Sequence, residues 1–148
     1  MEQAFPTLTP YIVVGNAKEA LAFYTKALGA EVVNVAYVPN TEQVMNAQMR
    51  VGDSMLMLND EFPDWGVFAP KAGENMPCTI HITSHNIDAE FQRAIDAGAT
   101  VCQPLEDMFW GDRYGSFMCP FGYKWSMGQK IKDVSPEEMA AAMQAMGG

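Results

Sequence analysis

Apolar and polar residues alternate along several short stretches of the chain, with the period of two that is typical of half-buried strands. In residues 43–51 the alternation places Asn46, Gln48 and Arg50 on one face and smaller or apolar side chains on the other. The Gly52–Asp53 pair that follows is a hairpin-turn sequence. The predicted strands cover residues 9–14, 31–38, 43–51, 54–58, 78–83 and 100–106, with two more before residue 127, after turns at Gly111 and Pro120.

Three other stretches predict helices, because apolar residues recur at helical spacing and capping residues stand at their ends. The first two helices are predicted over residues 17–28, between Asn16 and Gly29, and over residues 87–97, between Asn86 and Gly98. The third is the tail, where Ser135 and Glu138 form a capping-box sequence ahead of a stripe of methionines. We expect this tail helix to dock on the body of the protein or on a second subunit.

The order strand, helix, strand, strand, strand occurs twice along the chain. Thr9 aligns with Thr79 and Gly52 aligns with Gly122 at one constant spacing, so separate elements support the same repeat. Each half would cover one sheet face with its helix, and the two open faces side by side would form a cup. We predict one domain over residues 1–148: module one (about 7–60), a linker (about 61–76), module two (about 77–130) and a C-terminal helix (about 135–147).

The composition argues against several classes of partner. Nine basic residues against eighteen acidic residues give a formal net charge of −9, which disfavours nucleic acid and an anionic membrane surface. The chain shows no signal-peptide pattern and no apolar stretch of membrane-spanning length. Its three cysteines have no C-x-x-C spacing, which indicates reduced thiols. From these features we expect a cytoplasmic protein.

Four stretches of sequence carry a resemblance to a known family. They are residues 10–31, R-V-G-D-S-M-L-M-L (50–58), D-M-F-W-G-D-R-Y-G (107–115) and C-P-F-G-Y-K-W (119–125). The chain resembles the vicinal-oxygen-chelate superfamily, in its glyoxalase/bleomycin-resistance/dioxygenase branch, and most closely the PhnB-like subgroup. The resemblance implies an α+β fold in which two βαβββ modules form a half-open eight-stranded barrel. It also implies a homodimer with cavities formed by the modules.

The same resemblance implies a divalent metal, held by one ligand on the first strand and one on the fourth strand of each module. Those positions fall on Thr9, Leu56, Thr79 and Ser126. None of these side chains is a good ligand for a transition metal, and leucine cannot ligate at all. We therefore expect no metal and no other cofactor, which places the glyoxalase, dioxygenase and metal-dependent transferase activities in doubt.

Strand alternation around these positions predicts which side chains line the cup. The predicted cup face carries Thr9, Tyr11, Val13, Leu56, Leu58, Thr79, His81, Thr83, Lys124 and Ser126. The predicted helix face carries Ile12, Val14, Met55, Met57, Ile80, Ile82, Trp125 and Met127. His81 is either a general base or hydrogen-bond donor to a ligand, or a structural histidine bonded to a neighbouring hydroxyl or carbonyl. Asn46, Gln48 and Arg50 either contact the ligand or form the solvated face of a strand.

The turn at Gly111 brings Trp110, Arg113 and Tyr114 close together in sequence. A guanidinium group beside aromatic rings suits a planar or anionic ligand, through stacking and a charge-assisted hydrogen bond. A structural pair between Asp112 and Arg113 that holds the turn is the alternative.

Three functions remain open at this point. The first is a metal-independent protein of the bleomycin-resistance kind, which holds a small molecule in the cup. The second is a lyase, isomerase, transferase or dioxygenase that uses His81 with Tyr11 or Arg113, or a metal displaced to Asn46 and His81. The third is a dimer that binds no ligand.

Overall fold

A computed structural model describes residues 5–147 and shows an α+β chain of eight strands and three α-helices. The elements are β1 (Tyr11–Val13), α1 (Ala17–Leu28), β2 (Glu31–Tyr37), β3 (Val44–Val51), β4 (Ser54–Asn59), a 3-10 helix (Pro63–Trp65), β5 (Thr79–Thr83), α2 (Ile87–Ala97), β6 (Thr100–Asp107), β7 (Asp112–Met118), β8 (Lys124–Lys130) and α3 (Pro136–Gly147). The βαβββ order occurs twice, as predicted, in a half-open arrangement with a short C-terminal helix.

Helix α1 forms where its capping residues predict it. The side chain of Asn16 accepts a hydrogen bond from the Glu19 N–H (3.1 Å), and Gly29 ends the helix in a left-handed conformation with φ of 66°. Helix α2 begins after Asn86, but the predicted side-chain cap is wrong: Asn86 makes no capping bond. The Ile87 N–H instead donates to Gln129 Oε1 on β8 (2.8 Å), so the sheet satisfies this helix end.

Each module forms its own four-stranded sheet, in the order β1-β4-β3-β2 and β5-β8-β7-β6. The first strand of each sheet pairs in parallel with the fourth strand and lies at a sheet edge. In the part of the chain that the structure describes, no strand ladder joins the two sheets. The modules meet instead through their helices and through a side chain, because the Tyr123 hydroxyl donates to the Val13 carbonyl (2.8 Å) and accepts from the Val13 N–H (3.0 Å).

The two modules differ in strand register. In module two, Ile80 pairs with Trp125 on the core side and His81 pairs with Ser126 on the open side, as predicted. In module one, Ile12 pairs with Leu58, and both side chains are buried in the core.

The predicted facing of β4 is therefore wrong. Tyr11 pairs with Met57 on the open face, whereas Leu56 packs in the core at 2% exposure. The prediction assumed the same residue spacing in both modules, but the hairpin between β3 and β4 and the hairpin between β7 and β8 have turns of different length. Val51 and Ser54 pair across a two-residue turn, whereas Met118 and Lys124 pair across five residues.

One hydrophobic core spans both modules. At its centre Tyr24 of α1 is fully buried against Trp125 and Phe121 of module two, with ring centroids 5.3 and 6.0 Å apart. The Tyr24 hydroxyl and the Cys119 thiol are joined by a hydrogen bond of 3.3 Å. Burial is the main cause that raises the pKa of Tyr24 far above that of a free phenol, and the neighbouring Cys119 thiol is the second. The two modules are thus packed as one body.

The segment between the modules and the tail helix both remain largely exposed. Trp65 in the 3-10 helix stacks on Phe62 (centroids 5.3 Å apart) and is 71% exposed. At the tail, Ser135 Oγ accepts the Glu138 N–H (3.1 Å), although no return bond from the Glu138 carboxylate completes the box among the described residues. Met143 and Met146 of the predicted docking stripe are exposed. Within residues 5–147 no helix is long and apolar enough to cross a membrane.

Candidate functional site

The open face of module two holds a histidine in a fixed position. His81 lies on the edge strand β5, and its side chain is exposed. Its Nδ1 and the Ser126 Oγ on β8 are joined by a hydrogen bond of 2.7 Å, and Ser126 is only 2% exposed. The buried hydroxyl thus anchors one ring nitrogen and leaves the other for a ligand.

Aromatic rings extend from His81 across the same sheet face. The His81 ring is nearly parallel to the Tyr114 ring (centroids 6.0 Å apart, interplanar angle 14°). Trp110 meets Tyr114 edge-on at 5.8 Å, and its Nε1 donates to Asp112 Oδ2 (3.2 Å). We call this group the His81 face, defined by His81, Ser126, Trp110, Asp112 and Tyr114.

Gly128 is the part of this site that sequence reasoning missed. A Cβ at Gly128 would lie 3.1 Å from His81 Cε1, 3.2 Å from His81 Nε2 and 3.8 Å from Asp112 Oδ2. The missing side chain allows the imidazole to lie directly over the β8 backbone. The signal was available, because Gly128 stands two residues after Ser126 and therefore on the same strand face.

Lys124 and Thr79 flank the His81 face. They pair with each other across β5 and β8, two residues before the His81–Ser126 pair and on the same side of the sheet. Lys124 is half-buried and makes no ion pair with any described residue. The structure therefore brings Thr79, Lys124, Ser126 and His81 to one face, as predicted, and Trp110 joins them through its contact with Tyr114.

Module one presents a separate polar cluster. Asn46 Nδ2 donates to the Tyr11 hydroxyl (3.1 Å), and Gln48 Nε2 donates to Asn46 Oδ1 (3.3 Å). Arg50 follows on the same side of β3, and the Met57 sulfur lies 3.8 Å from Asn46 Nδ2. These side chains share the open face of module one, while Leu56 does not.

Arg113 does not reach the His81 face. Its Nε donates to Asp88 Oδ1 (2.8 Å) on α2, and its Nη1 donates to Asp107 Oδ1 (3.0 Å) on β6. These two hydrogen bonds raise the pKa of Arg113 above its ordinary value, and the bond to Asp88 has the larger effect. The predicted structural pair of Arg113 with Asp112 is wrong, because Arg113 pairs with Asp88 and Asp107 while Asp112 accepts from Trp110. Arg113 ties α2 to the edge of the second sheet.

A cavity of about 730 Å³ lies between the modules, alongside β5. Its apolar walls come from both halves of the chain and include Leu28, Leu56, Ile80, Ile82, Trp125 and Met127. Polar and charged residues also line the cavity, among them Asp53, His81, His85, Glu90 and Arg93. His81 is therefore the member of the His81 face that also borders the cavity.

The residues present do not fit the divalent metal that the sequence resemblance implies. Of the positions at which the resemblance places ligands, Thr9 precedes β1, Leu56 is buried in the core, and Thr79 pairs with Lys124. The side chains that meet on the open faces are Tyr11 with Met57 and His81 with Ser126, a set with one imidazole and no carboxylate. Across residues 5–147, no three His, Cys, Asp or Glu side chains lie close enough together to hold a metal ion. Metal sites of the expected kind need several imidazole or carboxylate ligands converging on one point.

Comparison with known proteins agrees with this architecture. The sequence profile of the Glyoxalase/Bleomycin resistance protein/Dioxygenase superfamily matches residues 5–127. An uncharacterised protein of Mycobacterium bovis is 42% identical over 146 residues, covering 96% of this chain and 95% of that protein.

Two solved structures share the fold. A Pseudomonas aeruginosa protein is similar with a TM-score of 0.68 and 26% identity, covering 86% of this chain and 99% of its own. A PhnB protein of Bacillus cereus is similar with a TM-score of 0.65 and 17% identity, covering 84% and 99%. The chain belongs to the glyoxalase/bleomycin-resistance/dioxygenase superfamily.

Proposed function

We propose that the protein binds a planar small molecule at the His81 face and the adjoining cavity, without the metal of the superfamily. The observation that carries this proposal is the arrangement of His81, which is bonded to a buried serine, stacked on Tyr114 and open to a cavity between the modules. A fixed polar group beside a cavity with both apolar and polar walls is a common form of small-molecule site.

The size and lining of the cavity support a ligand with an aromatic or apolar body. Its volume of about 730 Å³ falls in the range of sites for drug-sized ligands. Each offset or edge-on aromatic contact adds roughly 0.5–1.5 kcal/mol beyond the burial of area. The rings of Tyr114 and Trp110 extend the contact surface beyond His81.

We also propose membership of the PhnB-like subgroup and a homodimer as the assembly. The stretch 107–115 and the fold of the Bacillus cereus PhnB protein support the first proposal. The exposed stripe of Met143 and Met146 supports the second, because a subunit partner would cover it.

The test is a calorimetric titration with planar aromatic compounds, selected first by thermal shift, in buffer with and without EDTA. We expect binding that EDTA leaves unchanged and that His81→Ala weakens at least about tenfold, a loss of about 1.4 kcal/mol. Lys18→Ala is the control, since Lys18 lies on the exposed side of α1 and does not line the cavity. Binding that His81→Ala leaves unchanged would contradict the proposal.

The hydrogen bond between His81 Nδ1 and Ser126 favours a second candidate, an enzyme in which His81 transfers a proton. A buried group that orients an imidazole is a common arrangement for such a residue. For this candidate we expect His81→Ala to abolish turnover of a substrate while substrate binding persists. Equal turnover by wild type and His81→Ala would exclude it.

A further inference from the structure

We infer that His81 carries its proton on Nε2 and presents an N–H donor, so that the site selects ligands with an acceptor oxygen, an aromatic carboxylate in particular. The part concerning the ligand rests on the proposed function. The part concerning the proton rests on the structure of the free protein alone.

The first argument is the hydrogen-bond inventory of Ser126. Its hydroxyl is buried, and His81 Nδ1 is its sole side-chain or backbone hydrogen-bond partner within residues 5–147. If the Nδ1–H donated to Ser126, the serine O–H would be a buried donor without an acceptor. If Ser126 donates to Nδ1 instead, its O–H is satisfied and only acceptor lone pairs of the serine oxygen remain unpaired. An unsatisfied buried donor is the costlier of the two, so Ser126 donates and the proton of His81 resides on Nε2.

The second argument is that Nε2 is left open. The imidazole lies over Gly128, where His81 Nε2 and Asp112 Oδ2 are 3.2 and 3.8 Å from the position that a Cβ would take. Asp112 is held by the Trp110 indole N–H, and it makes no hydrogen bond or ion pair with His81 within residues 5–147. The Nε2–H therefore has no partner in the described chain and is open to a ligand.

The third argument concerns the ligand. Lys124 lies on the same sheet face, two residues from Ser126, without an ion-pair partner in the described chain. An N–H donor and an ammonium group on one face match a carbonyl or carboxylate oxygen. The aromatic rings of the His81 face match a ring that carries this group.

The proton position is tested by two-dimensional NMR of the free protein, correlating imidazole carbons and nitrogens at a pH well above the ordinary pKa of histidine. The chain has two histidines, and His85→Gln removes one of the two sets of signals. We expect the His81 nitrogen shifts of the Nε2–H tautomer. In Ser126→Ala we expect a mixture of tautomers. An Nδ1–H pattern in the wild-type protein would overturn the inference.

The ligand preference is tested with two probes that share a ring system, 2-naphthoate and 2-naphthylmethylammonium. We expect naphthoate to bind at least about tenfold more tightly, and Lys124→Met to remove most of this difference. Lys18→Met, a change on the exposed side of α1, is the control. Equal or tighter binding of the ammonium probe would overturn the inference. If neither probe binds while the Nε2–H tautomer is present, the proposed function fails and the proton assignment stands.

Discussion

The open faces of the two modules share a topology and differ in chemistry. In module one, Tyr11, Asn46 and Gln48 hydrogen-bond to one another through their side chains. In module two, His81 is anchored by a buried serine and stacked on Tyr114. The polar side chains of module one are therefore hydrogen-bonded to one another. In module two the His81 ring is held in place, and its Nε2 has no partner in the described chain.

The two modules therefore repeat the arrangement of strands and helix but not the side chains on the open face. The parallel pairing of first and fourth strands recurs, so the same two positions meet in each half. Tyr11 with Met57 occupies them in module one, and His81 with Ser126 occupies them in module two. The function of each face is then decided by a few side chains and by the length of one hairpin.

The largest effect is expected for Tyr24→Ala, which tests whether the two modules fold as one unit. Tyr24 lies in module one but is buried against Trp125 and Phe121 of module two. We expect a loss of about 3–5 kcal/mol in the free energy of unfolding. Urea denaturation followed by circular dichroism and tryptophan fluorescence measures it.

Both signals should report one transition. Tyr37→Ala, at a residue that is 54% exposed, is the control and should change stability by less than about 0.5 kcal/mol. Two separate transitions in the Tyr24 variant would show that the modules fold independently.

Gly128→Ala tests whether the position of His81 distinguishes module two. The added Cβ would lie 3.1 Å from the imidazole, so the ring must shift by a few tenths of an ångström and its hydrogen bond to Ser126 is disturbed. We expect aromatic-probe affinity, measured by calorimetry, to fall about tenfold, or about 1.4 kcal/mol. Gly15→Ala has open space around the new Cβ and should leave affinity unchanged. Unchanged affinity in Gly128→Ala would mean that the site does not depend on the placement of His81.

A matched pair of tyrosine variants compares the modules directly. Tyr114→Leu removes the ring stacked on His81, and we expect probe affinity to fall about threefold to tenfold, the value of one aromatic contact. Tyr11→Leu makes the same chemical change on module one and should alter affinity less than twofold in the same titration. A larger effect at Tyr11 would place the ligand on module one.

The smallest effect is expected at Arg113. Its guanidinium is committed to Asp88 and Asp107 and lies apart from the His81 face. We expect Arg113→Gln to change probe affinity less than twofold by calorimetry. A loss of tenfold or more would support the ligand-binding role that the sequence around the Gly111 turn predicts for Arg113.

The sequence predicts elements whose signals are local. The bounds of α1 follow from Asn16 and Gly29, and the alternation in β3 correctly separates Asn46 and Gln48 from the buried Met49. The facing of β4 was predicted incorrectly because Met-Leu-Met-Leu is apolar at every position, so its alternation contains no contrast. Register in such a strand depends on turn length and on the partner strand.

The site is predictable only in part, because its decisive contacts join residues distant in sequence. Period-two spacing places His81 and Ser126 on one face, and the structure confirms that they meet. Arg113 hydrogen-bonds to Asp88, which is 25 residues away, and no local sequence pattern predicts that pair. The hydrogen bond of Tyr24 to Cys119 spans 95 residues and likewise depends on how the modules pack.

Native mass spectrometry of protein purified without chelator, with and without 2-naphthoate, tests the central claim most directly. The account predicts chain masses without bound metal, and one naphthoate per chain that is lost in His81→Ala. A stoichiometric divalent metal on the purified protein, lost in His81→Ala, would contradict the account and assign His81 to a metal centre.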